Sequence, residues 1–322
     1  MKVKFHLPDF TKHYTFNIVF AEMLKRFPAY FRDGVEIASV YGVFPPSVWN
    51  GGRFQYGKCS KDFIRQVIAS FNRRGIPLRF TFTNPLIKEE HLHDEFCNTV
   101  MKLADNGLNE VIVASEILEN YIRETYPKYK LTSSTCKRIT DPERLSDELE
   151  KKYSIVVIDY DLNNKFDILE KLPHKDKCEL LVNACCNPGC PRRSAHYQLI
   201  GAEQLAYNEH LRKGGSLEFD YEDFMEYEEY KPYVNRKIAE CSCTGRTVFQ
   251  SSKLSTHISP DDIWEKYVPM GFGQFKIEGR TIELFNLIEH YMYYMVKPEC
   301  RDEARLLLMC QLVSQGIIKT AF

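Results

Sequence analysis

"GQFKIEGR", residues 273–280, is the stretch whose reading decides the fold. Phe275 and Ile277 fall on one face of an extended chain and Lys276, Glu278 and Arg280 on the other, the period-two pattern of a strand. A long apolar helical segment, "TIELFNLIEHYMYYMV", follows it directly. It is the eighth unit of this kind in the chain, and that number is what matters.

The earlier units run back to the N-terminus. "KVKFHL" (2–7) alternates and leads into a helical stretch from about Thr15 to Phe31. "VEIASVYG" (35–42) leads through a Pro- and Gly-rich loop to "SKDFIRQVIASFNRRG", with Ser60 as N-cap and Gly75 as stop. "PLRFTFTN" (77–84), "NEVIVAS" (109–115), "YKLTSST" (129–135), "YSIVVID" (153–159) and "CELLVNA" (178–184) supply strands three to seven. Helical segments from about Lys88 to Asp105, before Pro127, and near Pro142 and Phe166 separate the strands up to the seventh. Eight strands alternating with helices predict a single (β/α)8 TIM-type barrel domain over residues 1–322. The competing doubly wound sheet lacks a Gly-rich nucleotide fingerprint after its first strand. Between the seventh and eighth strands the rhythm breaks, and residues 205–245 read as an insertion. It carries the acidic, tyrosine-rich run "EFDYEDFMEYEEY" and two cysteines. That run is either a solvated helical face or a docking surface for a basic partner protein.

The composition sets bounds on function. The chain has 43 basic and 44 acidic residues, so no global field draws it to nucleic acid or membrane. No stretch reaches the roughly 18 apolar residues of a spanning helix, and the N-terminus has no signal-like apolar run. The expectation is a soluble, cytoplasmic protein. Eleven cysteines in a reducing compartment then point to metal ligation or thiol chemistry rather than disulfides.

If the apolar faces of the strands meet the helices, the other faces point inward. That places Lys4, His6, Arg79, Thr81, Thr83 and Lys276 inside the barrel, where charges must be paired. Barrels hold their sites at the C-terminal ends of the strands. On that rule His6, Asn84, Ser115, Asp159, Asn183, Glu278 and Arg280 are candidates, with Glu278, Lys276, Arg280 and His6 as the catalytic set. Asn84, Asn183 and Asp159 would contact substrate. Arg53 in "WNGGRF" joins them, since a glycine-rich loop can carry a guanidinium toward an anionic group.

The thiols concentrate in two places. "NACCNPGCPRR" presents Cys186 and Cys190 across a Pro-Gly turn, and "ECSCTGR" presents Cys241 and Cys243. Four cysteines in two local pairs suit a four-iron, four-sulfur (4Fe-4S) cluster or a tetrahedral zinc ion. Cys185 or Cys136 could replace one of the second pair. A nucleophilic cysteine served by His196 or His6 is the rival chemistry.

Two motifs carry a family resemblance. "NACCNPGCPRRSAHY" (183–197) and "GFGQFKIEGRTIE" (271–283) together resemble the collagenase-like peptidase family U-32, whose members carry N-x-x-C-x-x-x-C-P-x-R followed at a distance by K-[IL]-E-G-R. Asn183, Cys186, Cys190, Pro191 and Arg193 match the first, and Lys276 to Arg280 the second. The resemblance implies a barrel and, in several members, an iron–sulfur cluster. It also implies activity on a peptide, an RNA base or a small aromatic substrate, by hydrolysis or oxygen-independent hydroxylation. The C-x-C at 241 and 243 has no counterpart in that pattern. The alternative is a non-catalytic binding protein with a structural zinc and an acidic docking segment.

Overall fold

The structure is a computed structural model describing residues 2–234, 241, 243, 245–280 and 282–319. Eight strands pair in chain order, every pair is parallel, and β8 closes on β1. They are β1 Val3–Pro8, β2 Val35–Gly42, β3 Leu78–Phe82, β4 Glu110–Val113, β5 Lys130–Ser133, β6 Ile155–Ile158, β7 Cys178–Leu181 and β8 Gln274–Lys276. Alternating helices surround them, so the barrel that the eight-fold rhythm predicts is the one observed.

Local chemistry explains the element boundaries. Ser60, Asp94, Ser115 and Asp141 each accept a backbone N–H of the following first turn, which stabilises the helices starting at Lys61, Glu95, Glu116 and Pro142. Gly75 adopts φ of 71° just after the helix Lys61–Asn72, the left-handed geometry that ends a helix. The predicted helix from about Lys88 to Asp105 is two, Glu89–Leu92 and Glu95–Leu103, because Asp94 starts a new cap between them. Helix Arg193–Arg212 runs through position 205, where the sequence rhythm places the start of the insertion. Residues 235–240, 242 and 244 of that insertion lie outside the described residues.

The outward faces of the strands make the core. Val3, Phe5, Leu7, Phe80, Phe82, Val111, Leu180, Phe275 and Ile277 are buried in one continuous apolar cluster with the surrounding helices. The inward faces hold charge. Arg79 on β3 reaches across to Glu179 on β7 and also bonds Glu110 at 2.8 Å. Glu179 further meets His6 at 3.4 Å and Lys276 at 3.6 Å. Arg79 and Glu179 are both fully buried, so the predicted pairing of interior charge is present. Lys4 is only half-buried. Among the described residues no helix is long and apolar enough to cross a membrane.

Candidate active site at the barrel mouth

The C-terminal ends of the strands enclose an inner cavity of about 90 Å³. Its walls include Tyr41, Thr81, Cys136, Tyr160, Cys185, Cys186, Arg193, Tyr197, Cys241, Cys243, Lys276, Glu278 and Arg280. Above it a cleft of about 1120 Å³ opens outward, walled by Phe54, Tyr56, Phe219, Tyr221 and Phe224. Arg53, His196 and Arg280 border both spaces.

The loop after β7 brings in three thiols, and its neighbours clamp it. Asn183 accepts the Glu278 N–H at 2.6 Å and donates to the Glu278 carbonyl at 3.0 Å, locking the ends of β7 and β8 together. Glu278 in turn accepts the Cys185 N–H at 2.9 Å. Arg53 donates to the Glu278 carboxylate and approaches the Cys185 sulfur at 3.2 Å. Arg246 holds the Cys185 carbonyl and the Asn187 side chain, each at 2.6 Å. Burial raises the Glu278 carboxyl, but Arg53 and the Cys185 amide outweigh it and hold the group below the ordinary carboxylate value. Burial pushes the Cys186 thiol up to about 11.

The far side of the mouth is built from helix Arg193–Arg212. Residues 193, 196, 197 and 200 share one helical face. That face turns Arg193, His196 and Tyr197 toward the inner cavity. Arg193 is buried, donates to both Asp159 oxygens at 2.6 Å and to Asp161 at 3.0 Å, and lies 3.9 Å from the Tyr160 ring centre. Burial lowers the His196 imidazole, as do Arg53 and Arg192, so the ring is neutral at physiological pH.

Glycine is required where the β2 loop crosses the mouth. A Cβ on Gly51 would stand 2.3 Å from the Thr83 carbonyl oxygen, so no other residue fits without moving the loop. Gly52 has φ of 74° and faces Arg280 and Cys136. This close approach lets the Gly51 carbonyl accept from Arg280 at 2.6 Å.

The predicted site residues therefore separate into groups. Glu278, Lys276, Arg280, Arg53, Cys186, Cys241 and Cys243 line the inner cavity. Cys190 is buried behind Cys186 and acts on it electrostatically, as Cys243 does, and Cys241 adjoins Cys243. His6 lies below the mouth, bonded to Ser39 at 2.7 Å and to Gln274 at 3.0 Å, because its position in mid-strand puts it among the interior charges. Asn84 is buried, holding the Val48 and Gly201 carbonyls, and is a brace between loop and helix rather than a wall of the cavity. Ser115 is a helix cap. Asp159 and Asn183 reach the site only through Arg193 and Glu278. Tyr41, Tyr160 and Tyr197 were not among the candidates, and only the i, i+4 spacing of Tyr197 from Arg193 marks one of them in the sequence.

The thiol set has the chemistry of a metal ligand set. Among the described residues no group of three or more His, Cys, Asp or Glu side chains stands ready to hold a metal ion, so the four thiols adjoin without converging. The ligand sulfurs of a four-iron cluster stand farther apart than those around one zinc ion. Neighbouring thiols in two local pairs suit either group.

No family model matches the chain, and a search of curated proteins returns no match. Among solved structures, the U32 peptidase Mk0906 is similar with a TM-score of 0.48 and 12% identity, over 88% of this chain and 93% of that one. It bears the name of the family that the two sequence motifs resemble.

Proposed function

We propose that the chain is a U32 peptidase-like barrel enzyme whose mouth carries a 4Fe-4S cluster on Cys186, Cys190, Cys241 and Cys243. One observation carries this reading. Thiols from two loops, 51 residues or more apart in sequence, adjoin one another beside the inner cavity at the end of the barrel where sites are held. The bound group would supply one-electron transfer or Lewis acidity.

The chain's own residues then do the positioning. Arg53 and Glu278 fix the Cys185 backbone, Asn183 fixes Glu278, and the Arg193 ion pairs set the opposite wall. The reaction is either oxygen-independent hydroxylation of an RNA base or small aromatic ring, or hydrolysis of a peptide. Hydrolysis by a thiol needs a base free to take its proton. The Glu278 carboxylate is already held by Arg53 and by the Cys185 N–H, which leaves the neutral His196 imidazole at the cavity wall as the base for that chemistry.

The test is anaerobic purification with iron, sulfide and zinc analysis and visible absorption, on wild type and on Cys186→Ala/Cys190→Ala. About four iron and four sulfide per chain, lost in the double variant while its circular dichroism is retained, support the reading. One zinc without iron, or no metal in the anaerobic wild type, overturns it and favours a structural site or plain burial.

A further inference from the structure

Among the described residues, Arg280 differs from the other buried arginines at the mouth in what it bonds. Arg53 has Glu278, and Arg193 has Asp159 and Asp161. Inside the barrel Arg79 has Glu179 and Glu110. Arg280 is 8% exposed and bonds only neutral acceptors: Asn50 Oδ1 and Thr81 Oγ1 at 2.9 Å each and the Gly51 carbonyl at 2.6 Å. Among the described residues no carboxylate comes within 4 Å of it. Asp9 and Glu278 act on it only through space; one Asp9 oxygen is engaged by the Thr11 and Lys12 amides, and Glu278 is held by Arg53 and the Cys185 N–H.

A guanidinium has five N–H donors, and these three bonds engage three of them. The remaining donors belong to a side chain that borders both the inner cavity and the outer cleft. Lys276, also 8% exposed, lines the same inner cavity, with its ammonium 4.1 Å from the Tyr41 ring centre and 3.6 Å from a carboxylate that Arg79 already holds. A buried cation lacking a counter-ion is costly, and a planar fork of donors matches an oxyanion. The outer cleft above it is walled by five aromatic rings.

We propose that Arg280, with Lys276 behind it, forms an oxyanion site, and that the substrate is a small organic carboxylate or phosphate whose apolar body lies in the aromatic cleft. The acid group meets Arg280 where the two cavities join, which places the rest of the molecule between the thiols and Phe54, Tyr56 and Phe219. This rests on the reading of the mouth as a substrate site, but it does not depend on which metal, if any, the thiols hold.

The test measures binding rather than turnover, by calorimetry and thermal shift on the full chain purified anaerobically, with iron content recorded on the same sample. The probes are benzoate, phenyl phosphate, inorganic phosphate and the neutral isostere benzamide. Saturable binding of benzoate or phenyl phosphate, at least about tenfold tighter than benzamide, supports the site. The tighter of the two assigns the acid as carboxylate or phosphate, and weaker inorganic phosphate shows that the aromatic body contributes. Arg280→Gln should weaken the preferred probe by about tenfold or more. Benzamide binding as tightly as benzoate and phenyl phosphate, no saturable binding of either acid up to about 10 mM, or unchanged affinity in a folded Arg280→Gln overturns the proposal. If that variant does not fold, the wild-type comparison of acid and amide decides alone. Because iron is measured separately, a sample without a cluster that still binds the acid refutes only the cluster.

Discussion

Glu179 is the residue on which the barrel interior depends, and replacing it isolates one term of the fold's electrostatics. Its side chain is fully buried and faces three cationic or titratable groups, Arg79, His6 and Lys276. Glu179→Gln leaves Arg79 with Glu110 alone and Lys276 with no carboxylate. Removing one partner of a buried pair leaves an uncompensated charge and costs about 3–5 kcal/mol. That is a large part of the roughly 5–15 kcal/mol by which domains are stable. Arg79→Met should cost a similar amount, while Arg79→Met/Glu179→Gln should cost about 2 kcal/mol less than the sum, because the Arg79–Glu179 pair is lost only once. Urea unfolding followed by circular dichroism at pH 7.5 measures all four corners of the cycle. The carboxyl also sets a pH dependence. Burial opposes its ionisation, but Arg79, His6 and Lys276 hold it at about 2. Its contribution is thus full above the ordinary value of about 4.5 and is lost as the pH falls toward 2. Additive single effects within about 0.5 kcal/mol, each under about 1 kcal/mol, would refute a desolvated network.

Two further predictions concern acid stability. Burial holds the His6 imidazole at about 3, so below pH 6.5 the unfolded chain takes a proton that the native chain refuses. Wild type should lose about 2 kcal/mol between pH 7 and pH 5 through this residue, and His6→Gln should flatten that part of the urea-midpoint profile. Glu148 is buried and holds Ser133, Lys137 and Lys151. Burial raises its carboxyl, but these bonds bring it to about 2. Glu148→Gln should cost about 1–3 kcal/mol at pH 7, mostly through Lys137 because Lys151 is largely solvated. The difference should vanish as the pH falls from 4.5 toward 2. An equal deficit at pH 3 and pH 7 would count against it.

Strand-level features were legible because they are local and repeated. The eight alternating runs predict eight strands, and even the short β8 was marked by Phe275 and Ile277 against Lys276 and Glu278. The inward charges followed from the same alternation. What the alternation does not contain is height along the barrel axis. His6 reads like a mouth residue by strand position, yet its bonds to Ser39 and Gln274 place it with the interior charges. Asn84 sits at a strand end as expected, but a glycine in a helix 117 residues away leaves room for its amide, and such a long-range packing match has no local signature. Tyr41 and Tyr160 were missed for a related reason. Tyrosines are common in apolar strands and turns, and only the closed barrel turns these two toward the cavity. The two glycines before Arg53 permit the close backbone approach to Thr83, but the local pattern does not name Glu278 and Cys185, the partners that its guanidinium meets.

The arrangement of arginines explains how a loop of turn-forming residues can hold thiols in place. Asn187, Pro188 and Gly189 favour a turn but do not fix its orientation. Orientation comes from four separate loops. Arg53 after β2 reaches Glu278 and Cys185, Arg138 after β5 donates to the Cys190 carbonyl at 3.3 Å, Asp161 after β6 accepts the Gly189 N–H at 2.9 Å, and Arg246 holds Cys185 and Asn187. Each contact alone is worth little more than an ordinary charge-assisted bond, about 1.5–3 kcal/mol. Together they prevent the thiol loop from relaxing when a ligand or substrate approaches, which is the condition a preorganised site requires. Within that frame, among the described residues, every buried arginine bonds a carboxylate except Arg280, which is held by neutral acceptors where the inner cavity meets the cleft. The clamps fix the thiol loop, and the buried guanidinium that they leave without a bonded counter-ion is the group on which the proposed oxyanion site rests.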